Sequence, residues 1–236
     1  MSPTAVLGEA WSLYKTHWRH LLPIAFVVYL LLSLLTLLLV LLLSWLGAIA
    51  AAFVSLAGTF WLQGALVMAI EDIRDGRADL SISETLGRVR PRLNALAIGG
   101  ILASIGITIG FILLIVPGLV LLTWWLLIVP VIMLEGRSAT ESFGRSRELV
   151  RGNGWNVFGL IVLTVVILIV AGIILGIVLA LVLNFLSDDL AQYVSSVISN
   201  TIFTPFVAAG WTLAYYHLRE DQTVPAPGHQ TPNLEV

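Results

Sequence analysis

The sequence predicts an all-α integral membrane protein: six transmembrane helices, arranged as three repeats of a cytoplasmic interfacial helix plus a membrane hairpin. Three observations carry this. Of 236 residues, 58% are apolar and only 11% are charged, against about a quarter charged in a soluble domain; mean hydropathy is +0.99. Six apolar runs approach the length of about 20 residues that a helix needs to cross a bilayer core. A charged motif recurs between them.

The runs are 21–46, 48–70, 94–115, 118–134, 156–186 and 192–217, and none holds Asp, Glu, Lys or Arg in its interior. The first is far longer than a signal-peptide core of roughly 7–15 residues. It therefore reads as a retained span, although Ala48-Ile49-Ala50 resembles a cleavage site. Pro117-Gly118 is a tight-turn signal and makes the third and fourth runs a hairpin. The fourth is the shortest, and a re-entrant pair is its alternative. The fifth is long enough to tilt strongly or to break in two. Residues 1–220 form one membrane domain, in units of about 1–70, 80–134 and 138–217. Residues 221–236 are polar and proline-bearing, and read as a disordered cytoplasmic tail.

Six spans place both termini on one side, with loops 71–93 and 135–155. Those regions hold all 12 Lys and Arg. The positive-inside rule then sets both termini in the cytoplasm of a plasma or inner membrane.

The motif reads SISETLGRVR at 81–90 and SATESFGRSR at 138–147, with a weaker copy, LGEAWSLYKTHW, near the start. At 100° per residue, Ala139, Phe143, Ser146 and Val150 share one face and Thr140, Glu141, Arg147, Glu148 and Arg151 the other. Ile82, Leu86, Val89 and Leu93 share a face in the second copy, and Leu7, Ala10, Tyr14, Trp18 and Leu21 in the first. Such helices suit a membrane interface. Ser81/Glu84 and Ser138/Glu141 have capping-box spacing. Gly152 is placed to end the third copy, and Pro91 to end the second near Arg90.

Residues 115–160 and the last span resemble a bacterial integral-membrane family that includes the membrane domain fused to some glycerophosphodiester phosphodiesterases. The matching points are Pro117-Gly118, Glu135-Gly136, the Ser142–Gly152 run, and Tyr215-Tyr216-His217-Leu218-Arg219. His217 stands where family members often carry Asp. The resemblance implies a fold and a membrane location, with Ser142, Gly152, Tyr216 and Arg219 as structural positions. It does not imply hydrolysis, which belongs to a separate soluble domain in such fusions.

Candidate chemistry is sparse. The chain has no cysteine, which excludes thiolate nucleophiles, thiolate metal sites and disulfides. His17 and His20 have metal-pair spacing but no third ligand nearby, and read as interface anchors. Glu71, Asp72, Asp75 and Asp79 read as a solvated loop. No catalytic residue, cofactor or metal is assigned. Glu135 closes the fourth span, where its charge opposes the helix dipole. It therefore needs Arg137 or another unit's arginine. Arg88, Arg90, Arg145, Arg147 and Arg151 are candidates for anionic lipid headgroups or a partner protein. No nucleic-acid module is present.

Gln63, Asn184, Asn200 and Pro205 interrupt the spans, as a transporter's would, or else make interhelical hydrogen bonds. Gly106/Gly110 and Gly172/Gly176 have close-packing spacing. The leading expectation is a non-enzymatic membrane protein that binds anionic lipid or a protein through its Arg-bearing helices. The alternatives are a transporter or channel for a small neutral or amphipathic solute, and a membrane component associated with a lipid-headgroup enzyme. Oligomeric state is left open.

Overall fold

The computed structural model describes residues 1–76 and 80–223. The described residues are helical, with no strand among them. They form α1 (Pro3–Arg74), α2 (Ile82–Val89), α3 (Leu93–Leu113), α4 (Ile115–Trp124), α5 (Ile128–Pro130), α6 (Ala139–Val150), α7 (Gly154–Val182) and α8 (Asp188–Thr223). A 3₁₀ turn, Arg90–Arg92, joins α2 to α3, and a π turn, Val131–Glu135, continues α5. Five of these stretches, α1, 82–113, 115–135, α7 and 188–222, are long and apolar enough to cross a membrane.

The backbone of α1 leaves helical geometry at His17 (φ −114°, ψ 21°) and Ser44 (φ 51°, ψ −126°). Ser44 is a reversal. A Cβ on Gly58 would fall 2.3 Å from Leu32 Cδ2, although 26 residues of straight helix span about 39 Å. The arms before and after Ser44 therefore lie side by side, and the break comes three residues before the expected one at Gly47. The break at His17 turns the helix phase, so Trp18 is exposed rather than inward with Leu7 and Ala10.

The next hairpin turns at Leu114, whose extended backbone (φ −164°, ψ 151°) separates α3 from α4. Pro117-Gly118 is thus not the turn itself. Pro117 sits in the first turn of α4, where its missing N–H costs nothing. Gly118 lets the hairpin close: a Cβ on Gly110 would lie 3.0 Å from Gly118 Cα, and one on Gly106 2.6 Å from the Trp125 ring. Gly172 and Gly176 make no such approach; the nearest atom is 4.0 Å from the first, and nothing lies within 4 Å of the second.

α7 runs unbroken, and Asn184 falls in the turn beyond it rather than inside a span. α8 continues past residue 220 into part of the expected tail, because that last turn is held. Glu220 lies 3.8 Å from Arg74, Asp221 3.4 Å from the N-terminal ammonium, and Gln222 Nε2 donates to the Glu148 carbonyl at 3.0 Å. Residues 224–236 of that tail, and Arg77 and Asp79, lie outside the described residues.

α8 lies along the first arm of α1 and meets the end of the second, where Arg74 packs on Tyr216. The Tyr29 and Thr204 hydroxyls are 2.9 Å apart, and Tyr193 donates to the Ser33 carbonyl at 2.7 Å. The buried core gathers toward the end of the bundle that holds the termini, from Leu62–Ile70, Leu127–Met133, Leu149, Leu160 and Ala208–Leu218. Toward the other end, apolar side chains face outward, among them Leu41 (72% exposed) and Ile112 (77%). A contiguous apolar surface of this extent fits hydrocarbon, not water.

Candidate functional site

The densest polar arrangement lies at the end of the bundle that holds both termini. It is built around the turn from the π segment into α6. The π turn ends at Glu135, and Gly136 reverses the chain in the left-handed region (φ 69°), which glycine enters without a Cβ clash. A Cβ there would also come within 3.2 Å of Arg92 Nη2.

Glu135 is the hub. Arg137 Nε donates to its Oε2 at 2.8 Å, Arg145 Nε to both oxygens at 3.1 Å, and the Tyr215 hydroxyl to Oε1 at 3.1 Å. Arg92 donates to the Met133 carbonyl two residues earlier. Three arginines thus meet the negative end of this helix, where cations are favoured, and both arginines anticipated for Glu135 are engaged: its neighbour and one from α6.

The network extends outward. Arg145 Nη1 donates to Glu148 at 3.0 Å and to Gln222 at 3.3 Å. Partial burial alone would favour a neutral Arg145, but its hydrogen bonds to Glu148 and Glu135 outweigh that and hold it more firmly charged. The Tyr-Tyr-His-Leu-Arg run of α8 is spent residue by residue. Tyr215 reaches Glu135, and Arg219 Nη1 donates to the Tyr215 hydroxyl at 3.4 Å. Tyr216 lies under the Arg74 guanidinium, 3.7 Å from ring centre to Cζ. His217 meets Glu9 at 2.9 Å, and Leu218 is fully buried.

α6 and α2 start alike. In each, the N-cap serine accepts from the N3 amide and the N3 glutamate takes the cap's amide and hydroxyl, at Ser138/Glu141 and Ser81/Glu84. Bonding to Ser138 holds the Glu141 carboxyl below the usual range. α2 ends at Val89, before Pro91, and Gly152 (φ 88°) follows α6. The inner face of α6 carries Ala139, Ser142, Ser146, Leu149 and Val150. Ser142 bonds within its helix, to the Ala139 carbonyl at 2.6 Å. Ser146 does more: it donates to the Trp124 carbonyl at 2.6 Å and accepts from the Leu127 amide at 3.2 Å. The helix between α4 and α5 is broken there, and Ser146 occupies backbone groups freed by the break.

The outer face of α6 is open. Arg147 stacks over Trp124, 4.2 Å from the ring centre. Trp124, Gly144, Arg147, Glu148 and Arg151 line a cavity of about 420 Å³. Among the described residues, neither Arg147 nor Arg151 has a carboxylate partner. Arg88 on α2 and Arg90 in the 3₁₀ turn after it are exposed. Of the five arginines singled out from the sequence, Arg147 and Arg151 line this cavity, and Arg145 is tied to Glu135 and Glu148.

The remaining polar residues scatter. His17 bonds its own helix through the Leu13 carbonyl, and His20 Nε2 is buried without a partner. Asp72 is buried and accepts from the Leu80 amide at 3.2 Å. Among the described residues no three His, Cys, Asp or Glu side chains are placed to share a metal. Gln63 lines a cavity of about 170 Å³ with Trp125 and Trp211. Asn200 lines a larger one with Tyr29 and Tyr193.

Sequence reasoning missed Arg92, Ser146, Tyr215, Arg74 and Glu9 as members of these contacts. Only Tyr215 carried a signal, as a hydroxyl beside a span end. The others act across 41 or more residues, or on a helix break that periodicity did not reveal.

No curated protein and no solved structure matches the chain. The model of the family described as Domain of unknown function (DUF7847) matches residues 16–218, from the kink of α1 to the end of the α8 polar run, and the chain belongs to that family.

Proposed function

We propose that this chain is a six-span, plasma- or inner-membrane protein, with three interfacial-helix-plus-hairpin units and both termini in the cytoplasm, that holds an anionic lipid headgroup against α6. The six-span count is supported by the reversals at Ser44 and Leu114. The gathering of Arg74, Arg92, Arg137, Arg145 and Arg219 at one end supports the orientation. The paired capping boxes support kinship between the second and third units. The likeness to the membrane domain of glycerophosphodiester phosphodiesterases belongs to this reading as well, without hydrolysis.

One observation carries the function. Arg147 and Arg151 lie one helical turn apart on a cavity, without carboxylate partners, while Arg145 between Glu135 and Glu148 is already spent. Stacking on Trp124 fixes Arg147 by its face and leaves its N–H edge free, the geometry suited to phosphate. Gly144 has nothing within 4 Å of a built Cβ, so the approach is clear. Juxtamembrane arginines beside anionic headgroups are each favoured by about 1 kcal/mol.

Native mass spectrometry from nanodiscs of mixed phosphatidylglycerol and phosphatidylcholine tests this. The native chain retains phosphatidylglycerol preferentially, and Arg147→Gln/Arg151→Gln loses most of that preference. Equal retention by the two proteins sinks the reading.

A further inference from the structure

At the opposite half of the bundle the first hairpin and α8 enclose a second cavity, of about 400 Å³, within the usual size of small-molecule sites. Apart from Leu32, its lining residues carry polar side chains, although it lies between apolar spans. Tyr29, Ser33, Thr36, Ser55, Tyr193 and Asn200 all face it, and no Asp, Glu, Lys, Arg or His does.

Part of this lining is already satisfied. Thr36 donates to the Ser33 carbonyl at 2.9 Å and stands 3.2 Å from the Tyr193 hydroxyl; Asn200 Nδ2 donates to the Ser196 carbonyl at 2.9 Å. The rest is not. Among the described residues the Ser33 and Ser55 hydroxyls and the Asn200 carbonyl oxygen have no side-chain or backbone partner. Asn200 and Ser196 are exposed, so the cavity opens sideways from α8. Hydrocarbon cannot satisfy such groups. A ligand that both donates and accepts hydrogen bonds fits them.

We propose that this cavity binds a neutral polyhydroxyl group, entering sideways between the first hairpin and α8. Neutrality follows from the lining, because a charged ligand would sit unpaired in a low-dielectric site. Hydroxyl character follows from the mixture of donors and acceptors, which a vicinal diol or sugar matches group for group. The chemistry is shared by a glycosyl lipid headgroup and by a free polyol. The inference uses the six-span reading and is independent of the arginine cavity.

The experiment has two arms on the full chain. Native mass spectrometry from phosphatidylcholine nanodiscs carrying a minor fraction of diglucosyl diacylglycerol reads the lipid source. Glycerol-gradient swelling of proteoliposomes reads the free source. Each arm compares the native chain with Asn200→Leu and with Ser33→Ala/Ser55→Ala, which removes only hydroxyls and keeps the fold testable. Arg147→Gln/Arg151→Gln serves as the control for the other cavity.

Glycolipid enriched about fivefold over phosphatidylcholine, the worth of one net hydrogen bond, supports the proposal with lipid as the source, if both cavity variants lose it and the arginine variant keeps it. Swelling faster than protein-free vesicles, and slowed by both cavity variants, supports it with a free polyol as the source. Neither effect in the native chain, or either effect unchanged in both cavity variants, overturns it.

Discussion

Arg145 and Glu135 are ten residues apart and meet side-on, with Nε 3.1 Å from both carboxylate oxygens. The pair joins α6 to the end of the π turn, and the Tyr215 hydroxyl ties α8 to the same carboxylate. One side chain thus links the π turn and α6, neighbours in sequence, to α8, whose Tyr215 is 80 residues away.

Replacing Glu135 with Gln keeps the volume and removes the charge that Arg137 and Arg145 share. A charge-assisted hydrogen bond contributes about 1.5–3 kcal/mol, and the 13% exposure of Glu135 leaves some of that to solvent screening. We expect a loss of about 2 kcal/mol, read as a lower melting midpoint in detergent. In a double-mutant cycle with Arg145→Gln, the double variant should lose less than the sum. Strict additivity would mean that the two residues do not interact.

Ser146→Ala removes one hydroxyl from a buried site but leaves two backbone groups, the Trp124 carbonyl and the Leu127 amide, without it. An orphaned buried polar group costs about 1–3 kcal/mol, so this variant should melt well below the native protein. Amide protection should fall specifically at 125–128. Ser142→Ala, whose hydroxyl only returns to its own helix, should cost less. Equal losses for the two serines would assign Ser146 no special role at the break.

Much of this was legible locally. The Ser-x-x-Glu spacing named both capping boxes, the apolar face of α6 was placed to within a residue or two, and the need of Glu135 for a cation followed from its place at a helix end. Each depends on atoms within about one turn, where helical geometry fixes the distance. The turns were harder. Pro117-Gly118 marked the second hairpin, yet the chain reverses at Leu114, because an apolar residue in extended backbone carries no turn signature. Ser44 adopts positive φ without being glycine or asparagine, so composition pointed instead to Gly47. Long-range partners such as Tyr215, 80 residues from Glu135, depend on how helices dock, which no local rule encodes.

The capping box on α6 makes a pH-dependent prediction. The Glu141 carboxyl lies below its ordinary value of 4.5, through hydrogen bonds from the Ser138 hydroxyl and amide. A carboxylate with a depressed folded-state value stabilises the fold fully above its unfolded value, and that contribution fades as pH falls through the folded value. Protection of the first turn of α6 should therefore hold from neutral pH down to the ordinary glutamate value and decline only below it. Ser138→Ala should start lower and show a smaller acid-side decline. A decline of the same size in both proteins would remove the box as its cause.

Two glycine pairs with the same spacing should answer oppositely to alanine. A Cβ on Gly110 would sit 3.0 Å from Gly118 Cα and 3.1 Å from its amide nitrogen. Backbone cannot swing aside as a side chain can, so α3 and α4 must separate. Overpacking of this kind costs about 1–3 kcal/mol. At Gly176, nothing lies within 4 Å and the residue is mid-helix in α7. There alanine removes only the entropic cost of a helical glycine, so Gly176→Ala should be neutral or stabilise by about 0.5–1 kcal/mol. The readout is the melting midpoint of each variant in the same detergent, with cross-linking between 106 and 125 to report the α3–α4 separation. If Gly176→Ala were the more damaging change, α7 would have to pack in the membrane against a surface outside this chain.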